Sequence, residues 1–214
     1  PMTGYILDEA TTEDIEREQA TYGPIAEVLR ELAEVSIRTE VAPEVAADAV
    51  AKLREVQQLL SAELGGASYG TRFNHEGVGR PWGNAVVGVR NPVAPPLEIQ
   101  REDDGTIWSE FVLGPQYEGP PTLVHGGVSA LILDQLLGEA AAHAGKPGMT
   151  GTLTIRYRRG TALGPLRGEA KLTHTEGVKS FVSGQISDAE GVCVEAEGVF
   201  ILPKWARGEG DRKL

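Results

Sequence analysis

The sequence predicts an α+β fold in which an antiparallel sheet wraps around one central buried helix, with an added amino-terminal helical segment. Three observations carry this. From Val128 to Leu137 the chain reads as a helix that is apolar nearly all the way round, so no broad polar face is left for solvent. Two strand-like stretches precede it and four follow it, separated by Asp-Gly and Glu-Gly turns. The first 64 residues, by contrast, show helical periodicity and an acidic balance.

Taken in order, Thr12 can cap a short helix that begins at Glu13-Asp14, and Tyr22-Gly23-Pro24 breaks it. A second helix over about Pro24 to Ile37 carries Ile25, Val28, Leu29, Leu32 and Val35 along one stripe. Pro43 opens a third, with Val45, Ala49, Leu53, Val56 and Leu60 on one face, ended by Gly65-Gly66. Residues 67–96 are rich in Gly and Pro and read as a surface connector, with a short strand over Ala85 to Val89. Leu97 to Arg101 and Thr106 to Leu113 form a hairpin around Asp103-Asp104-Gly105. The central helix runs to about Ala144-Gly145. Strands follow at Met149 to Arg158, Leu166 to Thr175, Lys179 to Asp188 and Val192 to Leu202, the last three as a meander. The organisation is thus 1–66 helical, 67–96 connecting, 97–203 the principal domain and 204–214 a tail.

Composition narrows the function classes. A net charge of −11 over 214 residues argues against non-specific nucleic-acid binding, though not against an anionic ligand held by a local basic patch. Cys193 is the sole cysteine, and His75, His125, His143 and His174 are scattered, so neither a disulfide nor a zinc site is expected. No apolar run reaches membrane-spanning length and Pro1 to Asp14 lacks the pattern of a signal peptide, so a soluble cytoplasmic protein is expected.

The chemistry concentrates on the central helix. Asp134 is the only charged residue between His125 and Gly138. A lone carboxylate in a buried helix is expensive, and it lies about two turns past the start, too far to be a cap. Structural Asp residues of this kind exist, paired with Arg or with amides. At the helix entrance His125-Gly126-Gly127 places backbone N–H groups at the positive end of the dipole, where developing negative charge is stabilised. A competing pattern, Gly66-Ala67-Ser68-Tyr69-Gly70, matches the Gly-x-Ser-x-Gly elbow of serine hydrolases. The elbow needs a strand before it and a helix after it; here a helix precedes and no helix follows.

A helix entered through Val-His-Gly-Gly, an acid nine residues after the His, and then Met-Thr-Gly-Thr-Leu-Thr-Ile-Arg-Tyr-Arg-Arg resembles the PaaI-type acyl-CoA thioesterases of the hotdog superfamily, over about Leu97 to Pro203. The resemblance implies a hotdog fold and hydrolysis of an acyl-CoA. It implies Asp134 as general base or nucleophile, the Gly126 N–H as the group that polarises the thioester carbonyl, and His125 as the residue shaping that turn. Thr150 matches a Ser or Thr that orients the attacking water. Gly127, Arg158, Lys179 and Ser180 are the substrate-binding candidates, the cations for coenzyme A phosphates. No cofactor is implied beyond coenzyme A as part of the substrate. The resemblance also implies a homodimer or a dimer of dimers, with the helix acid of one protomer facing the His-Gly turn of the other. One position departs: many relatives carry Asn about six residues before the His, where this chain has Gly119. Two other readings stay open, a hotdog hydratase or dehydratase and a non-catalytic acyl-CoA-binding protein.

Overall fold

The computed structural model describes residues 5–204 and 207; the rest of the tail expected over 204–214, and the first four residues, lie outside the described residues. The chain divides into two compact units, 1–94 and 95–214.

The amino-terminal unit holds β1 (Tyr5–Leu7), α1 (Thr12–Arg38), α2 (Pro43–Leu60), β2 (Thr71–Phe73) and β3 (Gly79–Arg80). Its three short strands pair in the order β1-β2-β3, the first pair parallel and the second antiparallel. Four features of this unit differ from expectation. Thr11, not Thr12, caps α1, through a capping box: its side chain accepts from the Asp14 amide and the Asp14 carboxylate accepts from the Thr11 amide. The helix does not break at Tyr22-Gly23-Pro24 but runs through Pro24. Proline deletes one backbone bond, and anchors on both sides keep the turns in line. Ile15 and Ala26 are buried, and Arg30 donates to the carbonyls of Ala94 (2.8 Å) and Val89 (3.1 Å). The expected strand over Ala85–Val89 is a run of turns, because the Asn84 carboxamide oxygen takes the amides of Val86 (2.7 Å) and Val87 (3.0 Å) that a strand would give to a neighbour. Finally, the stretch after residue 67 is not merely a connector, since β2 and β3 build the sheet with β1.

The second unit holds β4 (Gln100–Arg101), β5 (Thr106–Leu113), a 3-10 turn (Pro115–Tyr117), α3 (Gly126–His143), β6 (Met149–Tyr157), β7 (Gly164–Glu176), β8 (Lys179–Asp188) and β9 (Gly191–Ile201). The six strands form one antiparallel sheet in the order β4-β5-β7-β8-β9-β6. The predicted hairpin and meander both form, although the first strand is confined to two residues. After β5 the chain crosses the sheet as α3, returns as β6 on the far edge, and comes back beside β5 as β7. An antiparallel sheet around one helix is therefore the architecture, as expected.

Close approach is arranged by glycines that the sequence reading passed over. A Cβ at Gly168, Gly184 or Gly198 would stand 2.5, 2.7 and 2.8 Å from the side chains of Leu136, Leu137 and Leu137. One glycine on each of β7, β8 and β9 thus opens a groove into which two helix leucines seat. Ile132, Leu133, Leu136 and Leu137 are fully buried there. Each such side chain contributes roughly 1.5–3 kcal/mol of transfer free energy. The helix is not buried all round, which corrects the expectation. Leu131 is 41% exposed and Gly127 is exposed, so one face of α3 is open in this chain.

The end of β6 is clamped to the β8–β9 turn. Arg159 makes a two-pronged ion pair with Asp188, one arm at 2.9 Å, and donates to the Gly191 carbonyl at 2.8 Å. The guanidinium holds the Asp188 carboxyl well below the usual carboxylate range. A carboxyl with a depressed native pKa adds stability that is fully present above its unfolded pKa of about 4 and is lost as pH falls below that toward the native value. We therefore expect Asp188→Asn to lower Tm at pH 7, and the gap from wild type to shrink in thermal melts taken below about pH 4. A gap that stays constant with pH would contradict this.

Candidate active site

The entrance to α3 is built by an over-determined loop. His125 donates its backbone N–H to the Tyr117 carbonyl (2.9 Å) and Gly119 donates to the Leu123 carbonyl (2.9 Å). The Val124 amide donates to the Thr161 carbonyl (2.8 Å), which ties this loop to the segment after β6. Thr122 holds a left-handed φ of 68°, kept in place by the Glu118 carboxylate, which accepts from its amide at 2.7 Å. Gly119 is explained by the same geometry. A Cβ there would meet the His125 Cα at 2.7 Å and its backbone nitrogen at 3.2 Å. No side chain fits at 119 unless the His125 turn moves, so the Asn that the resemblance would place there has no room in this loop.

The first turn of α3 then leaves one amide uncommitted. His125 is the N-cap, and its Nδ1 accepts from the Gly127 N–H at 2.9 Å. The imidazole proton of the neutral ring therefore sits on Nε2. The Val128 and Ser129 amides donate to the His125 carbonyl at 2.9 and 3.3 Å. Among the described residues the Gly126 N–H has no partner. It is the donor this turn has to offer an incoming oxyanion, while Gly127, expected to bind substrate, spends its amide on the cap. Tyr157 fixes the next peptide unit, its hydroxyl donating to the Gly126 carbonyl at 2.8 Å. A Cβ at 126 would lie 3.2 Å from that ring. His125→Ala should remove the cap and cost about 1 kcal/mol of stability, whereas His125→Asn, whose side chain also caps, should restore most of it. Chemical denaturation of the three proteins checks this, and equal losses in both variants would count against the capping role.

Asp134 lies two turns further on, half-buried on the open side of the helix, and Thr150 donates its hydroxyl to the carboxylate at 2.7 Å. The expectation of a sealed carboxylate is thus corrected within this chain. Thr150 and Tyr157 are seven residues apart on β6, an odd number that strict alternation would put on opposite faces. The pairing of β6 with β9 shifts between Thr150 and Thr152, and the extra residue, Gly151, returns Thr150 to the face that meets α3. The structure so brings Asp134 and Thr150 together, and separately His125, Gly126 and Tyr157. Tyr157 was a motif position without a role in the sequence reading; only the register reveals it.

The remaining candidates separate. Arg158 holds the Glu195 carboxylate with two nitrogens, at 2.9 and 2.6 Å. Lys179 is exposed and Ser180 is buried at the start of β8. Ser180 shares the β9 residue Phe200 with Thr150 as its register partner, so it lies on the same level of the sheet. Arg158 sits beyond the opposite end of β6, roughly 23–27 Å along the strand direction from that level. In one chain Arg158 and Lys179 do not converge on one phosphate. Ser68 lies in the amino-terminal unit with no helix after it, which leaves the serine-elbow pattern without its fold context.

Asp134 follows Gly126 by eight residues of helix, about 12 Å along the axis. A base or nucleophile and an oxyanion donor must each lie within hydrogen-bond reach of one thioester group. Within a single chain these two do not.

A family model described as the thioesterase superfamily matches residues 122–195. The acyl-coenzyme A thioesterase THEM4 of Xenopus laevis is 36% identical over 94 residues, covering 42% of this chain and 42% of that protein. The chain thus spans less than half the length of that curated relative. A crystal structure of a thioesterase superfamily protein superposes with a TM-score of 0.76 at 31% identity, covering 92% of this chain and 98% of that one.

Proposed function

This chain belongs to the thioesterase superfamily, with its hotdog fold, and on that premise we propose that it is a PaaI-type acyl-CoA thioesterase that hydrolyses an acyl-CoA to the free acid and coenzyme A. The observation that carries the reading is the uncommitted Gly126 N–H at the start of a helix that also bears the Thr150-bound Asp134. The thioester carbonyl oxygen accepts from Gly126, where the helix dipole adds to the stabilisation of the oxyanion. Asp134 removes a proton from the attacking water or attacks the carbonyl carbon itself. Thr150 fixes one carboxylate oxygen and leaves the other for this work. The thiolate of coenzyme A departs. Lys179 is the cation best placed to meet its phosphates, because Arg158 is engaged by Glu195.

The separation of about 12 Å between Gly126 and Asp134 makes the active form a homodimer, in which the Gly126 of one copy faces the Asp134 of the other. The open face of α3 and the exposed Met149 (64%) and Tyr157 (54%) of β6 are surfaces for the second copy. The test is release of free thiol from a panel of aromatic, short, medium and long acyl-CoAs, alongside light scattering for mass. Turnover on one acyl class by a dimer or larger assembly is expected. Saturable binding of acyl-CoAs without release of thiol would overturn the enzyme reading in favour of a ligand-binding hotdog protein, and a strictly monomeric active protein would overturn the shared site.

A further inference from the structure

We propose that the amino-terminal unit carries an anion site of its own, a cavity built by Arg72 and Arg90 that takes a small molecule bearing a phosphate or carboxylate group. The cavity, about 620 Å³ in volume, is bounded by these two arginines, by Tyr22 and Tyr69, and by the loop 65–68. Every lining residue belongs to the unit 1–94.

The two guanidinium groups are unusual for this unit. Its other arginines are committed: Arg80 to Asp8 and Glu18, Arg30 to backbone carbonyls, Arg17 and Arg38 to neighbouring carboxylates, and Arg54 to Gln57. Arg72 and Arg90 make no hydrogen bond or ion pair through their side chains among the described residues, in a segment where carboxylates outnumber cations. The Arg72 Nε is buried without a partner. A buried cationic donor left unmet destabilises the chain, and a bound oxyanion would relieve that.

What holds the two groups is stacking. The Arg90 guanidinium lies 4.1 Å from the centroid of the Tyr22 ring and 5.5 Å from that of Tyr69, and Arg72 lies 5.0 Å from Tyr69. Tyr69 in turn stacks on the buried Trp82 at 6.0 Å. A guanidinium packed by its face on an aromatic ring keeps its N–H edge available for a fork-like contact with an oxyanion. The loop adds donors, since no backbone amide from Glu63 to Tyr69 has a hydrogen-bond partner among the described residues. Two carboxylates also line the cavity. Glu18 is held by Arg80 at 3.0 Å, a cation it shares with Asp8, so Glu18 and Glu63 each offset part of the charge of Arg72 and Arg90.

The site stands independently of the thioester chemistry, and titration calorimetry on the full chain tests it, with pyrophosphate and malonate as probes. Saturable binding is expected for one of the two, naming a phosphorylated or a carboxylic ligand. Arg72→Gln and Arg90→Gln should each weaken it about 10-fold or more, as expected for loss of hydrogen bonds to a charged group, with circular dichroism unchanged. Arg72→Lys should recover part of the loss, because the charge returns without the fork. No saturable binding of either probe, or an affinity untouched by both glutamine variants, would overturn the proposal.

Discussion

Asp134→Asn is expected to lower kcat for acyl-CoA hydrolysis by about 10²–10⁴-fold while leaving the melting temperature close to that of the wild type. The substitution keeps the shape of the side chain and an acceptor for the Thr150 hydroxyl, 2.7 Å away in the native protein, so the helix has no packing reason to move. What it removes is the negative charge that takes a proton from water or attacks the thioester. Because the group is only half-buried in a single chain, its loss carries no large desolvation change of its own. Asp134→Ala should lose the same activity and also leave Thr150 without its acceptor. Free-thiol release at saturating substrate reads the chemical step; activity within a few-fold of wild type in both variants would remove Asp134 from the mechanism.

Most of the second unit was legible because its signals are local. The helix shows in its apolar run, and the meander in turns at Glu176-Gly177 and Asp188 to Gly191 that its strands then obey. Asp134 stood out as one charge in an apolar helix. Non-local facts were not legible. The bulge at Gly151 decides that Thr150 faces Asp134, and it depends on the pairing of β6 with β9. Gly119 read as a missing Asn, whereas the fold makes it the only residue that fits against His125. Gly168, Gly184 and Gly198 carry no local signal, and the fold makes them the groove for Leu136 and Leu137. In the amino-terminal unit, Pro24 and Asn84 each presented a local preference that its surroundings decided. Tertiary anchors carried α1 through a proline, and one side chain diverted two amides from a strand.

The oxyanion role proposed for Gly126 can be isolated because of where it stands in the helix. It is the first helical residue, a position at which proline is favoured, since the fixed φ suits the turn and the N–H is not used by the helix. The preceding His125 has ψ 130°, which a following proline tolerates. Gly126→Pro therefore deletes the uncommitted N–H and keeps the backbone path. Gly126→Ala keeps the N–H and introduces the same Cβ, 3.2 Å from the Tyr157 ring. The alanine variant measures the steric cost, and the ratio of proline to alanine measures the donor, expected at about 10²–10³ in kcat. A ratio near unity would place the oxyanion elsewhere. The same two positions also test the shared site. If the acid and the donor come from different copies, Asp134→Ala and Gly126→Pro chains are each inactive alone, but a mixed dimer holds one intact pair. Co-refolding equal amounts should then recover about a quarter of wild-type activity, since half the dimers are mixed and each has one working site of two. No recovery, with mixed dimers verified by mass, would mean that both groups act within one chain and that the span of α3 between them is bridged in some other way.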